Sequence, residues 1–307
     1  MGREKQFEWC IMKRVPNRRN TLRAAPRWVH GFTWGLFGAF TLLLLVLYYF
    51  YRDTDVWFLW FENAPGARGT FAETIRPSIF RTPANTWSNL AYILVGMYIV
   101  AYAWWDSRRE TTEQDPYAVR QPALMALYGV ACIVVGMGSG LMHASLMSFG
   151  HKADVFGMFF TFVALIALQW ARWIPFVPFT NRRWRTWPII GFLAIAVTAL
   201  LMVYRKQIAE DERILGWLFL LVILGVGADA IWWGISQQHR WVLLAFVSLA
   251  VGGYLQRRDL ARGFSPPDVW WQGHAIWHLL TAVMYASMAN FYRSEVPRPR
   301  IKRASEP

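Results

Sequence analysis

The sequence predicts an all-α integral membrane protein, a polytopic bundle of about eight transmembrane helices. Two compositional facts and one pattern carry this expectation. Of 307 residues, 55% are hydrophobic and 17% are charged, against roughly 25% charged residues in an average soluble domain. Long charge-free stretches alternate with short basic ones. A helix needs about 20 apolar residues to cross a bilayer, and lipid leaves no partners for an unpaired backbone, so helices are the expected spanning element. This excludes a disordered chain, a secreted disulfide scaffold and an ordinary soluble enzyme. The net charge of +13 would suggest nucleic-acid binding in a soluble domain. Here Lys and Arg separate the apolar segments, as membrane topology requires, so no nucleic-acid partner is expected. Cys10 and Cys132 lie far apart, in the tail and in an apolar run, and imply neither a disulfide framework nor a thiolate metal site. The 19 tryptophans fit interfacial belts as well as packing.

Taken in order, the first span is 31–51. Its basic entry and the lack of a small-residue cleavage site after it make it an anchor rather than a signal peptide. The second is 87–105, and the third lies within 121–150. The fourth, 155–171, starts beside Asp154. The fifth is 186–204. The sixth, 214–238, is interrupted only by Asp229. The seventh, 241–256, is short and the weakest. The eighth lies within 269–292. Residues 1–30 then form a basic tail, 31–292 a membrane domain and 293–307 a second basic tail. About two-thirds of the 32 Lys and Arg fall on the side of the two tails, which places both termini in the cytoplasm. The longest connection, 52–86, faces the outside or lumen, and loops of that length are often functional.

Ionisable residues inside spans are expensive and mark function. His143 is near the end of span three, Asp154 at the start of span four, and His274 and His278 near the start of span eight. Alternating threading puts all four at one membrane face, while Asp229 lies deep in span six and is not assigned to the group. His274 and His278 are four residues apart and share a helix face. With His143 they supply three nitrogens, the ligand number of a catalytic zinc that keeps a position for water. His30 lies in the tail and His239 in an opposite-side loop; His151 is a reserve ligand in a turn. A lone intramembrane histidine is more often an interhelical hydrogen bond than a ligand; the pair together with His143 and Asp154 on one face favours the metal. Ser139, one turn before His143, is placed to donate to a carbonyl oxygen, although Gly136, Gly138 and Gly140 around it also suit close helix packing. Asp154 has three readings: a base for, or holder of, a zinc-bound water, a partner orienting a histidine, or a residue favourable at a helix N-terminus. No HExxH pattern supplies a glutamate base.

Three blocks resemble the alkaline ceramidase family, within the wider group of membrane hydrolases that includes the adiponectin-receptor-like proteins. They are PANTWSNLAYILVG (83–96), GSGLMHASLMSFGHKAD (138–154) and GHAIWHLLTA (273–282). The resemblance implies a seven-helix core over 87–292 that cleaves the N-acyl amide bond of ceramide with zinc. It implies zinc on His143, His274 and His278, carbonyl stabilisation by Ser139, and handling of the zinc-bound water by Asp154. The substrate it implies is a ceramide-like lipid entering from the bilayer. Against that pattern, 31–51 is an added helix. Some members also bind calcium through acids before the asparagine block. Asp53, Asp55, Glu62, Asn63 and Glu73 occupy the corresponding region, and hard oxygen ligands suit Ca²⁺. The family's glutamate just before the asparagine is replaced here by Thr82-Pro83-Ala84-Asn85, so a calcium site would need Glu73 as a substitute; the alternative for these acids is a solvated loop. Rival readings are hydrolysis of another lipid amide or ester, a receptor or structural protein with a helix-tying zinc, and a transporter using Asp229.

Overall fold

The computed structural model describes residues 25–58, 71–112, 115–173, 187–208 and 210–295. Most of these residues are helical, with no β-strand among them. The elements are α1 (Arg27–Tyr51), α2 (Pro83–Ser88), α3 (Leu90–Ser107), α4 (Tyr117–Arg120), α5 (Pro122–Ser145), α6 (Ser148–Trp170), a 3₁₀ turn (Ala171–Trp173), α7 (Trp187–Ile208), α8 (Asp211–Trp233), α9 (His239–Leu260) and α10 (Gly273–Ser294). Among the described residues, five helical stretches are long and apolar enough to cross a membrane: Arg27–Tyr51, Pro83–Ser107, Pro122–Ser145, Ser148–Trp170 and Asp211–Trp233.

Local chemistry sets the boundaries. Proline in the first turn starts α2 and α5, where its missing N–H costs nothing. At Asn89 the helix from Pro83 is interrupted: the Asn89 side chain donates to the Asn85 carbonyl at 2.7 Å, and its own N–H turns to Thr86 at 3.3 Å. Such side-chain competition for a backbone carbonyl locally loosens a helix. Leu146, with φ of 52°, reverses the chain between α5 and α6.

Helix α5 is the hub, packed between α3 and α6, and α10 packs against α9 and α3. The approach of α3 to α5 depends on two glycines. A Cβ on Gly96 would lie 2.5 Å from the Gly129 carbonyl oxygen, so only glycine lets the backbones meet at this depth. Helix α1 differs from the rest. It leans on α3, and among its residues only Val29 and Thr33 are buried.

Several helices depart from the spans read in the sequence. The seventh helix, thought short, runs 22 residues from His239 to Leu260; its charged last turn, Arg257 and Arg258, concealed its length. The sixth ends at Trp233 rather than 238, because Gly234 leaves helical geometry with φ of 80°. The first starts at Arg27, which puts His30 on a helix rather than in the tail. The fourth starts at Ser148. Asp154 is therefore in its second turn and not at its opening, and the reading of Asp154 as a helix-terminal residue is withdrawn.

Asp229 is fully buried and bonded to Arg172 at 2.9 Å, and the same guanidinium reaches Glu295 at 2.9 Å. Arg172 also lies over the rings of Tyr117 and Tyr292. Following α6 and α10 along their length places this cluster at the end of the bundle opposite His143 and His274. Removing one partner of such a buried set leaves an uncompensated charge. Asp229 thus has a packing role that explains its presence in an apolar helix.

Candidate metal centre

Three histidines from two helices meet at one end of the bundle. His143 sits in the last turn of α5, and His274 and His278 occupy the first two turns of α10. All three are buried, and one ring nitrogen of each lies within 4.8 Å of the other two. Ring centroids are 4.9 Å apart for His143–His274, 5.1 Å for His143–His278 and 4.5 Å for His274–His278. The Nε2 atoms of His143 and His274 are 3.1 Å apart. Two nitrogens on a tetrahedral zinc at about 2.05 Å would be about 3.3 Å apart. The site therefore has the donor type and spacing for a metal ion, and no other such group occurs among the described residues.

The third ring is oriented by a hydrogen-bond chain. The Ser88 hydroxyl donates to the Asn85 carbonyl at 2.9 Å. Its oxygen is then available to accept from His278 Nδ1 at 2.8 Å. A proton on Nδ1 leaves the Nε2 lone pair for a metal, as second partners of metal-bound histidines commonly arrange. His143 and His274 lack a partner at Nδ1. Their rings are held by packing against Phe71, whose ring centroid is 5.0 Å from one and 4.1 Å from the other. Ser88→Ala should weaken metal affinity by about 10–100-fold while leaving the helices intact, which zinc competition with a chromophoric chelator would measure.

The polypeptide around the site is fastened by carbonyl and carboxylate caps. Thr82 donates from its hydroxyl to the His143 carbonyl at 2.7 Å, and the Arg81 N–H donates to the Ala144 carbonyl at 3.0 Å. These bonds use carbonyls that a helix C-terminus leaves open. Asp259 accepts from the Gly273 N–H at 2.9 Å and so closes the N-terminus of α10 just before His274. Glu73 accepts from the Ala84 and Asn85 N–H groups at 2.6 and 2.9 Å, closing α2 beside Ser88. Asp259 also accepts from the Ala72 N–H at 3.5 Å, so the 71–82 segment reaches both histidine-bearing helix ends.

Burial raises the Glu73 carboxyl from 4.5 to about 7, opposed by its two backbone bonds. The native state then holds an extra proton between those pH values. The sign follows: stability contributed by Glu73 falls as pH rises through that window. Glu73→Ala should cost about 1 kcal/mol, the usual worth of a helix cap. Its deficit in thermal unfolding temperature should be larger at pH 4.5 than at pH 8.

Ser139 is buried one turn before His143. Asp154 on α6 interacts with its side chain, and Tyr92 and Tyr285 are within electrostatic reach of the same carboxylate. Gly138 makes this possible. A side chain there would run into the Ala153 carbonyl, and its Cβ would lie 3.1 Å from the Asp154 nitrogen, so α5 and α6 touch beside the pair. Tyr92 also packs on His278, with ring centroids 5.8 Å apart. Tyr92 thus touches the histidine cluster and lies within electrostatic reach of Asp154, the partner of Ser139.

The acids considered for calcium are placed separately. Both carboxylate oxygens of Asp55 accept from Arg81 Nη2 at 3.0 Å. Glu73 is the α2 cap, and Asp53 is exposed beside Arg52. Glu62 and Asn63 lie outside the described residues. His151, the reserve ligand, approaches Asp211 at 4.0 Å and does not join the cluster. His239 lies at the other end of the bundle against Phe291, and His30 bonds Tyr98.

Sequence reading missed Ser88, Phe71 and Asp259, and singled out Glu73 only as a calcium candidate, not as the cap of α2. Ser88 lay inside the quoted asparagine block, so that block was the available signal. Asp259 and Glu73 stand in loops or at helix ends, where nothing in spacing points to the helix they cap. No family model, curated protein or solved structure matches the chain.

Proposed function

We propose that this chain is a zinc-dependent membrane hydrolase that cleaves the N-acyl amide bond of ceramide or a closely related lipid amide. The observation that carries the reading is the buried three-histidine cluster, with Ser139 one turn before His143 on the same helix and Asp154 beside Ser139. In this reading the chain crosses the membrane eight times, both termini are cytoplasmic, and the site opens toward the outer or lumenal leaflet. The blocks that resemble alkaline ceramidases supply the substrate class, and the helices α3 and α5–α10 correspond to that family's core.

His143, His274 and His278 would hold the zinc. When bound, zinc would lower the pKa of a water to about 7 and polarise a carbonyl oxygen. Asp154 accepts a proton at its carboxylate and returns it to the leaving amine. The Ser139 hydroxyl donates to the carbonyl oxygen as negative charge grows there. Phe71 covers His143 and His274 and keeps bulk water from them. Three protein nitrogens, with no fourth ligand grouped beside them among the described residues, support a catalytic rather than a helix-tying metal.

The test is zinc content together with amine release from a short-chain ceramide, before and after chelation and zinc return. Zinc near one per chain with chelator-sensitive release supports the reading. Zinc without release from ceramide, but with release from another acyl amide or ester in a lipid panel, would replace the substrate and keep the chemistry. Zinc with no release from any of them would favour a structural metal.

A further inference from the structure

The loop between α9 and α10 turns aromatic rings outward at the end of the bundle that holds the histidine cluster. Trp270 is 61% exposed, Trp271 64% and Phe264 37%. Exposed apolar side chains elsewhere, such as Leu42, Phe192 and Leu220, lie along helices read as spans, where lipid tails cover them. The three rings of this loop stand before the first residue of α10, so the apolar run of a span does not account for them.

Their exposure is built into the loop. Gln272 is fully buried, and its amide nitrogen donates to the carbonyls of Pro266, Pro267 and Val269 at 2.9, 3.2 and 2.8 Å. Its amide oxygen accepts from the Ser265 hydroxyl at 3.1 Å. One glutamine thus draws the polar groups of 265–269 inward and leaves the rings outside. Pro266 and Pro267 stiffen the same stretch, and a surface held this way loses little conformational freedom on docking. The Thr74 N–H donates to the Pro267 carbonyl at 3.0 Å, which ties the loop to the segment whose Phe71 packs on His143 and His274. Charge flanks the rings. Arg257, Arg258 and Arg262 are exposed, against a single exposed acid, Asp268, within 257–272.

We propose that this loop is a membrane anchor: Trp270 and Trp271 seat at the boundary between headgroups and acyl chains of a phospholipid leaflet, with Arg257, Arg258 and Arg262 among its phosphates. An indole has an apolar body and one N–H donor, which suits a layer that is apolar on one side and rich in acceptors on the other. Arginine matches the phosphate oxygens. Protein interfaces also use tryptophan and arginine, but this loop joins two helices read as spans and so lies at the surface of the bilayer. The anchor rests on the eight-span reading and needs neither metal nor hydrolysis. His274 follows Trp271 by three residues, no more than about 11 Å of chain. The anchor therefore holds the histidine cluster just below the headgroups, where a lipid bond close to its headgroup can reach it and one near the bilayer midplane cannot.

The experiment is electron paramagnetic resonance of the full-length protein in phosphatidylcholine nanodiscs. A nitroxide is placed in turn at Trp270→Cys, at Trp271→Cys and, as a reference within a span, at Leu279→Cys, which is 46% exposed on α10. Cys10 is replaced by serine throughout, and Cys132 is buried. Collisions with oxygen, which concentrates in lipid, are compared with collisions with a water-soluble nickel chelate. Labels at 270 and 271 should favour oxygen, at a shallower depth than the label at 279. A label at Phe264→Cys should favour oxygen while both tryptophans are present and turn to the chelate in Trp270→Ser/Trp271→Ser. Those changes leave Gln272 and its bonds in place, and circular dichroism checks that the helices persist. Chelate preference at 270 and 271 with 279 in lipid would overturn the anchor and leave the eight-span reading standing. Chelate preference at 279 as well would overturn the span reading and the anchor with it. Immobile labels that meet neither agent would show a protein surface over the loop and overturn the lipid assignment. A 264 label indifferent to the loss of both rings would overturn the role of the tryptophans.

Discussion

Replacing His278 with alanine is expected to abolish amide hydrolysis and to lower bound zinc from about one per chain to less than about a tenth. The argument is geometric. His278 is the ring whose tautomer is set by a neighbour, through Ser88 at 2.8 Å, so it is the best-oriented of the three donors. Its removal leaves His143 and His274, whose Nε2 atoms are 3.1 Å apart. Two neutral imidazoles with no fixed partner at Nδ1 cannot match a three-nitrogen site, because each protein ligand lost must be replaced by water in a buried pocket. His278→Gln separates the metal effect from a packing defect, since it keeps a polar side chain of similar reach beside Ser88 and Tyr92. Metal analysis of both purified variants, paired with amine release, is the measurement. Full zinc retention in His278→Ala would remove it from the ligand set.

The histidine cluster was legible in the sequence because its signal is periodic. A four-residue spacing fixes two side chains on one helix face whatever the helix packs against, and threading parity places His143 at the same end. Both arguments survive errors of several residues in a helix boundary, and they survived here although α6 starts at Ser148. Asp154 shows the opposite case. Its depth in α6 depends on where the helix starts, and the sequence signal for that start was masked by polar residues, Ser148, His151 and Lys152, that precede the apolar run. Capping by Glu73 and Asp259 was not legible at all. Each accepts from a backbone N–H more than ten residues away in sequence, at Ala84 and Gly273, and neither spacing nor composition records such a closure. The exposure of α1 belongs to the same class. Only Val29 and Thr33 of that helix are buried, and hydropathy alone cannot distinguish a packed span from one that stands off.

Asp154→Asn is expected to keep zinc near one per chain while lowering the rate of hydrolysis by about 10²–10⁴-fold, the usual contribution of a positioned general base. The two halves of that expectation have separate physical origins. Zinc retention follows because Asp154 is not grouped with the histidine donors, and because asparagine fills the same volume where α6 touches α5 at Gly138. The rate loss follows because an amide cannot take a proton at the oxygen that faces Ser139. Ser139→Ala provides the comparison. Losing one donor to a developing oxyanion costs about 10²–10³, again without metal loss. If Asp154 and Ser139 act on the same proton and oxygen, the double variant should be little worse than Asp154→Asn alone, since groups that work as a unit are strongly non-additive. If the penalties instead multiply, the two side chains act on different steps. An Asp154→Asn protein that turns over at the wild-type rate would leave the metal site standing and take the carboxylate out of the chemistry, and Tyr92, which packs on His278, would become the group to examine for proton transfer.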